Sequence, residues 1–232
     1  IDAQYFSSTE YVGTVMSGEA AFFGVNFADG RIKGYGMSSP MGDFTGFAKY
    51  VRLESDHGIN DLQDNGDDTV TDLATGLMWQ QSDSASTLDW EDALAYCEDL
   101  TIVHSDWRLP NAKELQSIVD YTRAPLVTSS AAIDPVFTVT DIESYYWSST
   151  THLDGRPEDR GTFAVYVSFG RAMGYMEMPP GSGSYTLLDV HGAGAQRSDP
   201  KTGDPADWPN GNGPQGDVVK IFNHARCVRD AS

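Results

Sequence analysis

Asp106-Trp107-Arg108-Leu109-Pro110-Asn111, continued by Ala112-Lys113-Glu114-Leu115-Gln116-Ser117-Ile118-Val119-Asp120-Tyr121, is the best-defined local unit of this sequence. Pro110 stops whatever precedes it, because proline has no N–H to give. Asn111 can then cap a helix, and Glu114 stands where the partner of a capping box belongs. Leu115, Ile118 and Val119 follow at i, i+3, i+4 spacing and make one apolar helical face. Trp107 and Leu109 alternate just before it, as in a short buried strand.

A second helix reads out on the N-terminal side, over residues 87–100. Trp90, Ala93, Leu94 and Cys97 form its apolar stripe. Thr87 or Asp89 caps it, and Asp89, Glu91 and Asp92 suit its positive end. Further upstream, Asn65-Gly66 is a strong hairpin signal. Residues 69–72 and 77–80 read as strands around the turn at 73–76. The acidic residues of 60–68 do not follow the EF-hand order, so the stretch reads as a turn rather than a cation loop. Residues 1–59 are rich in Gly, Ser, Phe and Tyr, with one clear strand in Ala20-Ala21-Phe22-Phe23-Gly24-Val25-Asn26-Phe27 and a turn at 28–31. They are expected to form an extension packed on a main domain of residues 60–232.

Downstream of the helices the period becomes two. Residues 145–151 read as a strand, and so do 162–169, where Phe163, Val165, Val167 and Phe169 share a face. Residues 171–178 look like the return strand of that hairpin. Residues 185–190 are another candidate. A last strand is expected over 218–229, with Val219, Ile221, Ala225 and Cys227 on one side. Between these last two lies 189–217, rich in Gly, Asp, Pro and Asn and poor in apolar residues. A loop of that length is usually functional or disordered, and its scattered Asp and Pro favour an ordered, functional one.

Composition narrows the function. Acidic residues outnumber basic ones 34 to 15, a formal charge of -19. Such a surface repels phosphate backbones and anionic lipid headgroups, which excludes a nucleic-acid binder and argues against membrane attachment. No apolar run is long enough to span a bilayer, so no membrane insertion is expected. There is no signal-peptide pattern, and the chain opens Ile1-Asp2-Ala3 rather than with Met. That start suggests a processed chain or a piece of a longer one. The two cysteines, Cys97 and Cys227, are too few for a closed zinc site. Two readings stand: buried free thiols, or a disulfide tying the first helix to the last strand. The second would stabilise by roughly 4–5 kcal/mol and place the protein outside the cytoplasm.

Catalytic signatures are absent: no Gly-rich phosphate loop, no His-Glu-x-x-His, no Gly-x-Ser-x-Gly. His57, His104, His152, His191 and His224 are scattered and read as structural or exposed, His191 being the exception to watch because it lies beside Asp189. The chain is therefore not expected to be an enzyme. Calcium is the more plausible inorganic partner. It wants six to eight oxygens, and Asp199, Asp204, Asp207, Asn210 and Asp217 lie close together in the long loop, with Asn212 among them. The bland alternative is a solvated acidic loop whose Asp residues serve turns. Trp208, His191 and Asn212 are the candidate ligand contacts; Trp208 could stack on a sugar ring or anchor the loop.

Taken together, several blocks resemble the Lcl C-terminal domain family of bacterial collagen-like surface proteins. They are Thr69-Val70-Thr71-Asp72 with Thr75-Gly76-Leu77-Met78-Trp79-Gln80, then Trp90-Glu91-Asp92-Ala93-Leu94 with Cys97. The 106–111 unit with Glu114-Leu115, Tyr146-Trp147-Ser148-Ser149-Thr150 and Arg226-Cys227-Val228-Arg229 complete the set. The resemblance runs from about residue 60 to 229. It implies an α+β, C-type-lectin-like fold, with two helices flanking a twisted antiparallel sheet and long irregular loops. It also implies a disulfide between Cys97 and Cys227. The same fold is related in shape to formylglycine-generating enzymes, which need active-site cysteines; here both sit at the places of a structural bridge. The family has no settled activity; the reading adopted for this chain is an extracytoplasmic binding or adhesion domain, secreted or at the cell surface. It would meet a glycan or cell-surface protein through the 189–217 loop, ordered by calcium. The alternatives are a subunit of a surface filament or other homo-oligomer, and an uncharacterised enzyme on the same scaffold.

Overall fold

The computed structural model describes residues 3–38, 45–52, 58–153 and 157–231. His57 lies outside the described residues. Three strands open the chain: β1 (Gln4–Glu10), β2 (Ala21–Asn26) and β3 (Ile32–Gly36). Next come β4 (Leu62–Asp64), β5 (Thr69–Asp72) and β6 (Leu77–Gln80), then helices α1 (Trp90–Glu98), α2 (Ala112–Ser117) and α3 (Pro125–Thr128). The C-terminal half holds β7 (Tyr145–His152), β8 (Phe163–Ser168), β9 (Met173–Glu177), β10 (Tyr185–Asp189), β11 (Gln196–Pro200) and β12 (Val228–Asp230). The result is a mixed, sheet-rich α+β chain with open antiparallel sheets.

The main sheet runs β1-β2-β3-β11-β8-β7, a second runs β12-β6-β5-β4, and β9 with β10 forms a separate ribbon. The N-terminal strands thus continue the main sheet through the contact of Ile32 with Gln196. β8 lies between β7 and β11, and its Ala164, Val165, Tyr166, Val167 and Ser168 are all buried, as a central strand requires.

The capping box forms as the sequence predicts. Asn111 accepts from the N–H groups of Lys113 and Glu114, and Glu114 accepts from the Asn111 N–H at 2.8 Å. Glu114 also receives both terminal nitrogens of Arg108, at 2.7 and 2.8 Å. Arg108 in turn exchanges backbone bonds with Val228, so the helix start is tied to the chain's end. α2 stops at Ser117, and Ile118 serves as its C-cap. Leu115 and Ile118 pack with Trp79, Tyr146 and Phe169 in one core cluster. α1 is capped by Asp89, which accepts from the Asp92 N–H. Its Ala93 and Cys97 join Trp147, Tyr166 and Ala225 in a second cluster. There Cys97 and Cys227 form a disulfide with both residues fully buried. The turn before β5 uses its acids as expected: Asp64 accepts from the Gly66 N–H and Asp67 from the Thr69 hydroxyl.

Three expectations about strands are corrected. Residues 171–178 do not return along β8; β9 pairs with β10. The neighbour of β8 on the side away from β7 is β11, drawn from the stretch expected to be loop. β11 reads Gln-Arg-Ser-Asp-Pro, so no apolar period announces it. The last strand is confined to β12, although Val219, Ile221, Ala225 and Cys227 are all buried as expected.

Candidate functional site: an anchored polar loop

Residues 190–195, which follow β10, are buried without exception. Residues 201–215, after β11, are exposed or half-buried. Of the stretch 189–217 expected to carry the contact face, residues 189–195 are buried and 196–200 form β11.

Two buried carboxylates hold the stem of this loop, and each reaches across it. Asp199, at the outgoing end, accepts the backbone N–H of Lys220 at 2.8 Å. Asp217, at the returning end, accepts from Arg197 through Nε at 2.9 Å and through a terminal nitrogen. Its other oxygen accepts from His191 Nε2 at 2.7 Å. That contact places the histidine proton on Nε2 and leaves Nδ1, unpartnered among the described residues, without one. One layer away, Asp189 accepts from the Tyr11 hydroxyl at 2.9 Å and the Gly192 N–H at 2.8 Å. The Met16 N–H donates to its carbonyl.

Burial sets the charge states. It raises the Asp189 carboxyl to about 6, against the pull of its hydrogen bonds. It pushes Asp199 well above the ordinary carboxylate range. Burial, with the charge of Arg197, lowers His191 to about 4, so the ring is neutral near pH 7. Burial would raise Asp217 too, but His191 and Arg197 outweigh it and hold that carboxylate below its usual range.

The exposed part is ordered by its own bonds. Asp204 accepts from the Ala206 N–H and caps the short 3-10 turn Pro205–Asp207. The Trp208 N–H donates to Pro205, and the Gly211 N–H donates to Trp208. Asn212 and Asp217 exchange both backbone bonds at 2.8 Å. Gly216 sits at φ +59, and a Cβ there would come within 2.2 Å of the Tyr175 carbonyl oxygen, so glycine is required. Gln215 accepts from Lys33 Nζ at 2.8 Å. At the other end, Lys201 Nζ lies 3.8 Å from the centre of the Trp90 ring and donates to Thr151. Asp204, Asp207 and Asn210 are exposed on this frame, while Trp208 and Asn212 are half-buried.

The expected calcium ligands are not brought together. Asp199 is fully buried on a backbone amide, Asp217 is occupied by cationic and N–H partners, and Asp204 serves a cap. Among the described residues no group of three or more His, Cys, Asp or Glu could hold a metal ion. The donor set does not fit calcium. His191, expected as a ligand contact, is buried with its ring against Asp217. Sequence reasoning missed Arg197, Lys220 and Tyr11. The alternation of Arg197 and Asp199 was the one available signal, and polar alternation reads as surface unless a partner is known.

Among the described residues two clefts stand out, and the smaller touches the loop through Gln215. One of about 480 Å³ is lined by Asn60, Leu62, Ile118, Tyr121 and Asp134 among others. Another of about 230 Å³ is lined by Met16, Glu19, Lys33 and Tyr35 among others. Neither includes His191, Arg197, Asp199 or Asp217.

The family model for the Lcl C-terminal domain matches residues 68–188, more than half of the chain. The chain belongs to the Lcl C-terminal domain family. The match takes in β5 through most of β10, and with them α1, the capping box and Cys97. It ends before β11, so the anchored loop and Cys227 lie beyond the matched part of the Lcl C-terminal domain. No curated protein and no solved structure matches the chain.

Proposed function

We propose that this chain is an extracytoplasmic binding domain on a C-type-lectin-like scaffold, meeting a glycan or a protein surface through residues 201–216. The observation that carries this is the stem: two buried carboxylates reaching in opposite directions across it. Isolated polar loops lose conformational entropy when a ligand orders them. A loop already ordered by its stem presents Trp208, Asp204, Asp207 and Asn210 with that cost met in folding. The rest of the molecule supports the reading. The disulfide from α1 to the residue before β12 favours both an oxidising compartment and the lectin-like scaffold. Among the described residues no helix is long and apolar enough to cross a membrane. The titratable cluster is taken up in holding the stem, which favours binding over catalysis.

A glycan array and a panel of immobilised cell-surface proteins test this, each probed with the wild-type chain and with Trp208→Ala and Asp204→Ala. Specific binding lost in these variants while their melting temperatures hold supports the reading. Binding that both variants retain in full would place the contact elsewhere.

A further inference from the structure

The β9–β10 ribbon has one satisfied edge and one free edge. Met178 donates to Ser184 and Val190 donates to Ala172. With Thr186 opposite Met176 and Leu188 opposite Gly174, the even-numbered residues of β10 face β9. The odd-numbered residues of both strands therefore aim their backbone groups outward. On the β9 side those groups are used: the Tyr175 N–H donates to Gly216, and the Met173 carbonyl accepts from Val218. On the β10 side the Asp189 carbonyl accepts from Met16. Beyond it, the N–H and C=O of Tyr185 and Leu187 have no partner among the described residues. The two residues are 45% and 47% exposed, and their side chains share a face.

We propose that this edge pairs with the same edge of a second copy, β10 against β10 in antiparallel register about Thr186. Tyr185 then exchanges backbone bonds with Leu187 of the second copy, and Leu187 with Tyr185 of the second copy. The two threonines meet at the axis as a non-hydrogen-bonded pair. The arrangement is isologous and closes on itself, as a two-fold contact must. Side chains complement as well: each aromatic Tyr185 lies opposite an aliphatic Leu187, a favourable cross-strand pair. Charge does not oppose a second copy along this strip. Two chains of net charge -19 repel over most of their surfaces. Tyr185-Thr186-Leu187-Leu188 carries no carboxylate, and the flanking Asp189 is buried on Tyr11 and Gly192. Along this strip the two molecules meet without placing carboxylate against carboxylate. The inference goes beyond the proposed binding role and does not depend on it.

Sedimentation equilibrium of the 232-residue chain at low and high sodium chloride tests the proposal. A monomer–dimer equilibrium that tightens with salt is expected, since screening removes the repulsion and leaves the neutral contact. Leu187→Pro removes an outward donor and no bond to β9, so it should weaken the dimer by about tenfold or more with an unchanged circular dichroism spectrum. Tyr185→Asp, which alters only a side chain, should do the same by setting carboxylates near one another. A chain monomeric at every concentration would overturn the proposal. So would a dimer that loosens with salt, or one that both variants leave intact.

Discussion

Arg197 and Asp217 face each other across the stem of the polar loop, joined through Nε at 2.9 Å and through a terminal nitrogen. They lie twenty residues apart in sequence, so the pair closes the segment between them. Removing the carboxylate leaves a buried guanidinium without its counter-charge, and losing one partner of such a pair typically costs about 3–5 kcal/mol. Asp217→Ala should lower the urea-unfolding free energy by that order. A loss below about 1 kcal/mol would mean that the pair contributes little.

The pH dependence of stability should depend on Asp189. His191 titrates at about 4 in the folded chain, below its unfolded value, so its contribution to stability is lost as pH falls from the unfolded value toward 4. Asp189 titrates at about 6, above the unfolded carboxylate, so its contribution grows as pH falls through that range. The two oppose each other between about pH 6 and 4. Asp189→Asn keeps an acceptor for Gly192 and removes the opposing contribution. Its thermal stability should fall more steeply than wild type over that window, by on the order of 2–3 kcal/mol. Parallel pH profiles for the two proteins would contradict these ionisation assignments.

Reduction should weaken the whole molecule. The Cys97–Cys227 bridge closes a loop with a sequence separation of 130. In the chain-entropy account that closure stabilises by roughly 4–5 kcal/mol. Thiol alkylation followed by intact mass should label neither cysteine before reduction, and the doubly substituted Ser variant should unfold at markedly lower urea. Labelling of both cysteines in the folded chain would refute the bridge.

Calcium should leave the chain unmoved. Asp199 and Asp217 are engaged by protein donors, and Asp204 caps a turn. Melting temperatures in saturating calcium and in chelator should coincide. A rise in calcium that chelator reverses would show that these acids regroup around the ion.

Local signals were legible where side chains act on their own neighbours. Asn111 and Glu114 make a capping box from sequence alone, and Asn65-Gly66 turns β4 into β5. The buried faces of 218–229 were also readable, since Val219, Ile221 and Cys227 are simply apolar. β11 was not, because its interior residues are Arg197 and Asp199, and only their distant partners Asp217 and Lys220 make burial tolerable. The partner of β9 was hidden for a related reason. Period two identifies a strand but not its neighbour, and the chain passes from β8 to β9 without pairing them. His191 carries no apolar signal of burial, and only Gly34 donating to its carbonyl and Asp217 accepting from its ring fix it in the interior.

Amide hydrogen exchange across residues 201–217 tests the central claim most directly, that the polar loop is an ordered platform held by its stem. The amides of Gly211, Asn212 and Asp217 should be protected in the wild-type chain, with protection lost in Asp217→Ala while β7 and β8 remain protected. Exchange of all three at unstructured rates in the wild-type chain would contradict the account.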